Sequence, residues 1–208
     1  MPNQEVLRYI KIIRKKLERI YKQRGVIKTE WISMKKSDGI YSPRVDLAIG
    51  PFAVDGIYSS QFDVLMNYSK ELIDNLIIHH IENTKDKFNF EHEEINFDLL
   101  ERHNYNPRCF MAIEIENNVT RKHLMGSAIN AASLGRLGII IPWTEEKLRA
   151  LVRMRDYLKF IYDRKRKKFD ITNLLIIAKE QFKNVLNQEI KRNSFKNHKI
   201  KRLLNENN

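Results

Sequence analysis

Cysteine is almost absent from this sequence: among 208 residues there is one, Cys109. A lone thiol excludes an internal disulfide and a cysteine-built zinc cage. It also gives no reason to expect a disulfide-linked partner. Long apolar runs are missing too. No stretch approaches the ~20 residues that a membrane-spanning helix needs. No helical pattern joins a strong basic face to a Trp- and Phe-rich apolar face, which argues against a membrane surface as partner. The stretch Met1–Ile20 alternates charge with apolar residues and lacks the apolar core and cleavage site of a signal peptide, so a cytoplasmic location is expected. Internal repeats and Gly/Ser linkers are absent. So are the short signatures of common cofactor sites. Gly135-Arg-Leu-Gly138 lacks the Gly-Lys-Ser/Thr ending of a phosphate-binding loop. His79, His80, His92, His103 and His123 have neither HExxH spacing nor a cysteine partner for zinc. No helix-turn-helix or zinc-finger reader is evident, so any sequence specificity must come from loops.

What is present is a basic, foldable chain. The apolar fraction is 42% and the charged fraction 31%, the balance of a folded protein and not of a disordered one. Residues 1–178, with an N-terminal helix over 4–24, are expected to form one α/β domain, and 179–208 a basic C-terminal helix and tail. The net charge of +12 attracts polyanions, and nucleic acid is the first candidate. The bland alternative is a basic protein without a specific polyanionic partner.

Periodicity organises the chain. Ile10, Ile13, Leu17, Ile20 and Tyr21 fall at helical spacing, and Gly25 ends that helix. Residues 43–50, Pro-Arg-Val-Asp-Leu-Ala-Ile-Gly, read as a short strand. Ser59-Ser60 cap a helix that carries Phe62, Leu65, Met66, Ser69, Leu72, Ile73, Leu76 and Ile77 on one face. The polar stretch from about Glu82 to Pro107 reads as a long loop or a poorly formed element. Then come a strand over 109–116, a helix over 120–134, a strand over 138–142, a helix over 144–164, a strand over 173–178 and a helix from Glu180. Short apolar strands alternating with helices predict a core with parallel neighbours.

The chemistry concentrates in Ala112-Ile-Glu114-Ile-Glu116. Strand side chains alternate, so Glu114 and Glu116 face one way and Ile113 and Ile115 the other, towards the core. Asp46 is similarly embedded in Val45-Asp-Leu-Ala-Ile49. A carboxylate in an apolar strand needs a partner, because an unpaired buried charge costs several kcal/mol. That partner is either an Arg or Lys across the sheet or a divalent cation. Mg²⁺ takes oxygen ligands, commonly one or two carboxylates with water and phosphate. It polarises phosphodiesters, and phosphoryl transfer is largely positioning plus charge neutralisation.

These pieces resemble the PD-(D/E)xK, or restriction-endonuclease-like, nuclease superfamily. Pro43-Arg-Val-Asp46 matches its P-D half and Glu114-Ile115-Glu116 its (D/E)-x-K half, followed by a strand–helix–strand core through Gly138-Ile-Ile-Ile. The resemblance covers roughly Glu30 to Ala178 and implies a central mixed β-sheet flanked by helices. It implies Mg²⁺ or Mn²⁺ as cofactor, with Asp46, Glu114 and the Ile115 carbonyl as metal ligands. It implies Glu30 as a further catalytic acid and Glu116 at the position where the family usually has Lys. This is the E-x-E variant, in which the last Glu acts on the attacking water or holds a second metal. Arg121, Lys122, His123 and Asn130 on the following helix, with Arg164 and Lys165, are expected to contact DNA. The small residues Gly126, Ser127, Ala128, Ala131, Ala132 and Ser133 let that helix pack closely on the sheet. The expected function is a metal-dependent DNA endonuclease of restriction, defence or repair type. A homodimer would suit it, since cutting a duplex takes two active sites or two encounters. The alternatives are a non-catalytic nucleic-acid-binding or regulatory protein on a degenerate nuclease fold, and a scaffold for acidic proteins.

Overall fold

The computed structural model describes residues 4–22, 24–34, 39, 42–52, 59–85, 95–102, 104, 106–117, 120–161 and 170–206. The first helix, α1 (Gln4–Ile20), buries Val6, Tyr9, Ile10, Ile13, Leu17 and Ile20 on one stripe, as its spacing predicts. Strand β1 (Ile27–Ile32) follows and was not foreseen. Its half-buried pattern, with Lys28 and Glu30 exposed, is that of an edge strand whose local signal is weak until a partner pairs with it. Strand β2 (Arg44–Ile49) supplies that partner.

The single helix expected after Ser59 is two helices, α2 (Ser59–Tyr68) and α3 (Lys70–Lys85). They part at Ser69, whose buried hydroxyl is 2.9 Å from Tyr21 Oη. The loop expected from Glu82 to Pro107 is shortened at its start by α3 and contains α4 (Phe97–Arg102). This one-turn element is stabilised by burial of Phe97 and Leu100 and by Asn96 Oδ1 accepting the Leu99 N–H, signals too short for periodicity to report.

From there the alternation holds: β3 (Cys109–Glu116), α5 (Arg121–Leu134), β4 (Gly135–Pro142), α6 (Glu145–Ile161), β5 (Leu174–Ile176) and α7 (Lys179–Glu206). Strand β4 begins at Gly135, earlier than the Gly138 expected, because Gly135 pairs with Cys109 as soon as α5 ends. The sheet runs β1-β2-β3-β4-β5. The β1–β2 and β2–β3 pairs are antiparallel, while β3–β4 and β4–β5 are parallel. The protein is thus α/β, a five-stranded mixed sheet flanked by helices.

One sheet face carries Leu47, Ile49, Ile113, Ile115, Ile139 and Ile141 into the largest core, shared with α1, α2, α3 and α7. Phe182, Val185 and Leu186 place the first turns of α7 inside that core. The opposite face packs Ile140, Leu174 and Ile176 against α5 and α6. Of the small residues on α5, Ala128, Ala131 and Ala132 are buried there, whereas Gly126 and Ser133 are exposed. Among the described residues no helix is long and apolar enough to cross a membrane.

Candidate functional site

Asp46, Glu114 and Glu116 come together where strands β2 and β3 separate. The β2–β3 register pairs Ile49 with Met111, Ala48 with Ala112 and Leu47 with Ile113. Continued by one residue it sets Asp46 opposite Glu114, yet the backbone ladder stops short of that pair. The β1–β2 register also passes over Asp46, pairing Leu47 with Thr29 and Val45 with Trp31. Asp46 is therefore the one residue of β2 paired in neither ladder. Its side chain replaces the missing strand contact: Oδ2 accepts the Ile115 N–H at 2.8 Å. The backbone N–H of Asp46 in turn supports the Glu114 carboxylate.

Both glutamates of β3 are buried, Glu114 at 8% and Glu116 at 6% exposure, so the alternation argument holds in a strand covered on both faces. Ile113 and Ile115 join the main core, as expected. The side chains on the other face meet α5. Ser127 Oγ donates to Glu116 Oε2 at 2.8 Å. Asn130 hydrogen-bonds to Glu114. Ser127 and Asn130 stand three apart on the helix and so share one face. Ser127 was foreseen only as a small packing residue; its polar role is settled by how closely α5 approaches β3.

Burial and mutual repulsion dominate the electrostatics. Burial pushes Asp46 up from an ordinary 3.8 to about 6; the Ile115 N–H and Arg44 oppose the rise, while Glu30 and Glu116 add to it. Glu114 is raised well above the usual carboxylate range, first by burial and then by Asp46. Among the described residues no cation acts on Glu114; its polar neighbours are two carboxylates, an amide and a backbone N–H. The bland alternative, an Arg or Lys paired across the sheet, does not describe this residue.

The remaining candidates are spread around this centre. Glu30 sits at the gap in the β1–β2 register with φ of 49°, a left-handed conformation uncommon for a residue other than glycine. Its Oε2 is 2.9 Å from Arg44 Nη1, so its carboxylate engages a guanidinium. Arg121, Lys122 and His123 are exposed at the start of α5. Arg164 and Lys165 lie outside the described residues. Cys109 is buried and burial raises its thiol well above the ordinary range, the behaviour of a core residue and not of a nucleophile. His79 pairs with Glu82 at 2.7 Å, and His80 is fully buried, its Nδ1 accepting the Ile176 N–H.

Among the described residues no three His, Cys, Asp or Glu side chains gather closely enough to enclose a metal ion by themselves. A magnesium-type site asks for less, since such ions keep several waters and take one or two carboxylates. Asp46, Glu114 and the Ile115 carbonyl make an all-oxygen donor set of that kind. In a strand the N–H and C=O of one residue point to the same side. The Ile115 N–H points at Asp46, so its carbonyl opens into the same gap, beyond the end of the ladder. The set fits a hard cation, whose charge would offset the repulsion that raises Glu114. Comparisons of this chain with protein-family models, with curated proteins and with solved structures find no match.

Proposed function

We propose that this protein is a divalent-metal-dependent nuclease on a restriction-endonuclease-like core, with Asp46, Glu114 and Glu116 as its acidic centre. One observation carries the reading: the carboxylates of Asp46 and Glu114, from two adjacent strands, act on each other, largely buried, at the point where those strands part, with Glu116 two residues further along β3. An acid on β2, two on β3 and a following strand–helix–strand are also what the sequence resemblance implies. The net charge of +12 supplies the long-range attraction for a polyanionic substrate.

Asp46 and Glu114, with the Ile115 carbonyl, would hold the cation. A bound Mg²⁺ or Mn²⁺ would supply Lewis-acid polarisation of the phosphodiester and neutralise charge that builds on it. Glu116 orients the attacking water and takes its proton. Ser127 holds one oxygen of Glu116 and so fixes the orientation of its carboxylate. Asn130 fixes the Glu114 carboxyl group, a positioning role in place of the DNA contact expected for it. Arg121, Lys122 and His123, exposed at the start of the helix that carries Ser127 and Asn130, would take the nucleic-acid backbone.

The experiment is incubation of purified protein with plasmid and short duplexes in Mg²⁺, in Mn²⁺ and in EDTA. Cutting that needs the metal and disappears in Asp46→Ala and Glu114→Ala is the expected result. Metal-dependent cutting that survives both substitutions removes the site. Salt-sensitive DNA binding without cutting in any metal points instead to the non-catalytic nucleic-acid-binding protein.

A further inference from the structure

We propose that Arg44 is the substrate-facing cation of the acidic site, its guanidinium gripping a phosphate oxygen of the nucleic acid at the scissile position. The inference rests on the nuclease reading and names a residue that reading does not supply. A phosphodiester is an anion, and attack on it adds charge. The acidic centre offers three carboxylates, and Glu116 stands where the resemblance leads one to expect a Lys. A positive group has to come from elsewhere in the fold.

The geometry points to Arg44 in three ways. It precedes Asp46 by two residues on β2, so both side chains lie on the same side of the strand. Its head group is held 2.9 Å from Glu30, the residue at the gap in the β1–β2 register beside Asp46. Its charge is felt at Asp46, the only cation that acts there among the described residues.

It is also accessible. The Arg44 side chain is 64% exposed and the Glu30 side chain 50% exposed. An ion pair that open to water is weak and exchanges readily. A guanidinium presents a planar fork that matches two oxygens of a phosphate as well as those of a carboxylate. Glu30 therefore acts as a holder. At the register gap, with its left-handed backbone, it keeps the Arg44 head group beside the acids until a phosphate replaces its carboxylate. This assigns Glu30 a positioning role on the cation, distinct from a place among the metal ligands.

The test compares wild type, Arg44→Ala, Arg44→Lys and Glu30→Gln. Two readouts are taken on one labelled duplex: single-turnover cleavage in Mg²⁺ or Mn²⁺, and equilibrium binding in EDTA across a salt series. Arg44→Ala should lose roughly 10²-fold in cleavage rate, the usual effect of removing one charge-stabilising donor. Its slope of log affinity against log salt should shrink by about one, the mark of one lost phosphate contact. Arg44→Lys should recover the salt slope and part of the rate. Glu30→Gln should keep the salt slope, because the guanidinium remains, and lose only part of the rate, because the head group is no longer held beside the acids.

A purely structural ion pair makes Glu30→Gln fail to the same extent as Arg44→Ala, and that result overturns the proposal. Equal behaviour of Arg44→Ala and wild type in both readouts overturns it while the nuclease reading stands. Absence of cutting by wild type in either metal removes the nuclease reading, and the salt slope then decides: a slope unchanged in Arg44→Ala, or no DNA binding at all, overturns Arg44 as a phosphate contact.

Discussion

Two glycines flank the functional face of α5, and the same substitution should act on them with opposite sign. Gly126 lies in the helix interior and is exposed; an added Cβ meets nothing within 4 Å. Gly138 lies on the central strand β4, where a Cβ would sit 2.8 Å from the Ala131 carbonyl carbon, 2.9 Å from its oxygen and 2.9 Å from the Ala132 nitrogen. These are backbone atoms of α5, so no side-chain rotation relieves the clash. Ordinary contact begins near 3.4 Å, so the helix would have to retreat by about 0.6 Å. Gly126→Ala should stabilise by about 0.8–1 kcal/mol, the helix-interior difference between the two residues. Gly138→Ala should cost roughly 1–3 kcal/mol, the usual range for overpacking a filled core. For a chain of this size these values mean a Tm about 2–4 °C higher for the first and roughly 2–12 °C lower for the second. The retreat also reaches the site. It would stretch the 2.8 Å bond from Ser127 to Glu116 towards the limit of hydrogen bonding, so Gly138→Ala should lose cleavage at temperatures where it is still folded. Thermal and urea denaturation of both variants, followed by circular dichroism, is the assay. A Gly138→Ala protein within about 0.5 kcal/mol of wild type, or both variants shifting in the same direction, would refute the close approach of α5 to β4.

Further expectations follow from the acids and from His80. Asp46 binds a proton more tightly in the fold than in the unfolded chain, so its contribution to stability falls as pH rises from about 4 through 6. Asp46→Asn should therefore stabilise the metal-free protein at pH 7, by up to ~3 kcal/mol from the shift alone, while abolishing cleavage; denaturation at pH 4 and pH 7 checks the sign, and a loss of stability at pH 7 would contradict it. His80 is held well below its ordinary 6.5, by burial first and then by Arg155. Its protonation favours the unfolded chain, so it contributes a loss of stability as pH falls below 6.5, and nitrogen NMR at pH 6 should show a neutral ring with the proton on Nε2. Ser127→Ala removes the donor to a buried carboxylate and should cost about 1–3 kcal/mol and lower the cleavage rate; unchanged values for both would show that the bond has no consequence.

Much of the architecture was legible in local pattern. The stripe of α1 and the apolar runs of β3 and β4 are dictated by spacing that any burial must respect, and they appear close to where the sequence places them. The basic run that includes Arg164 and Lys165 lies outside the described residues. Where the reading fell short, long-range contact decided. Strand β1 exists because β2 pairs with it, and at Ser69, between α2 and α3, the hydroxyl meets the Tyr21 hydroxyl across the core. The one-turn α4 depends on burial of two side chains and one asparagine cap.

The acidic centre divides in the same way. By itself the sequence determined that Glu114 and Glu116 share a face, because strand alternation is a property of the backbone, and that Asp46 sits in an apolar strand. Only the tertiary structure decided that these acids meet. Asp46 and Ile115 are 69 residues apart in the chain, and a register between two strands joins them by one hydrogen bond. It also decided which polar groups attend them: Ser127 and Asn130 reach the glutamates because α5 packs close above β3, and Glu30 meets the Arg44 head group from the neighbouring strand. Side-chain facing follows from local geometry, whereas register and helix approach are settled by burying one core under all the elements together.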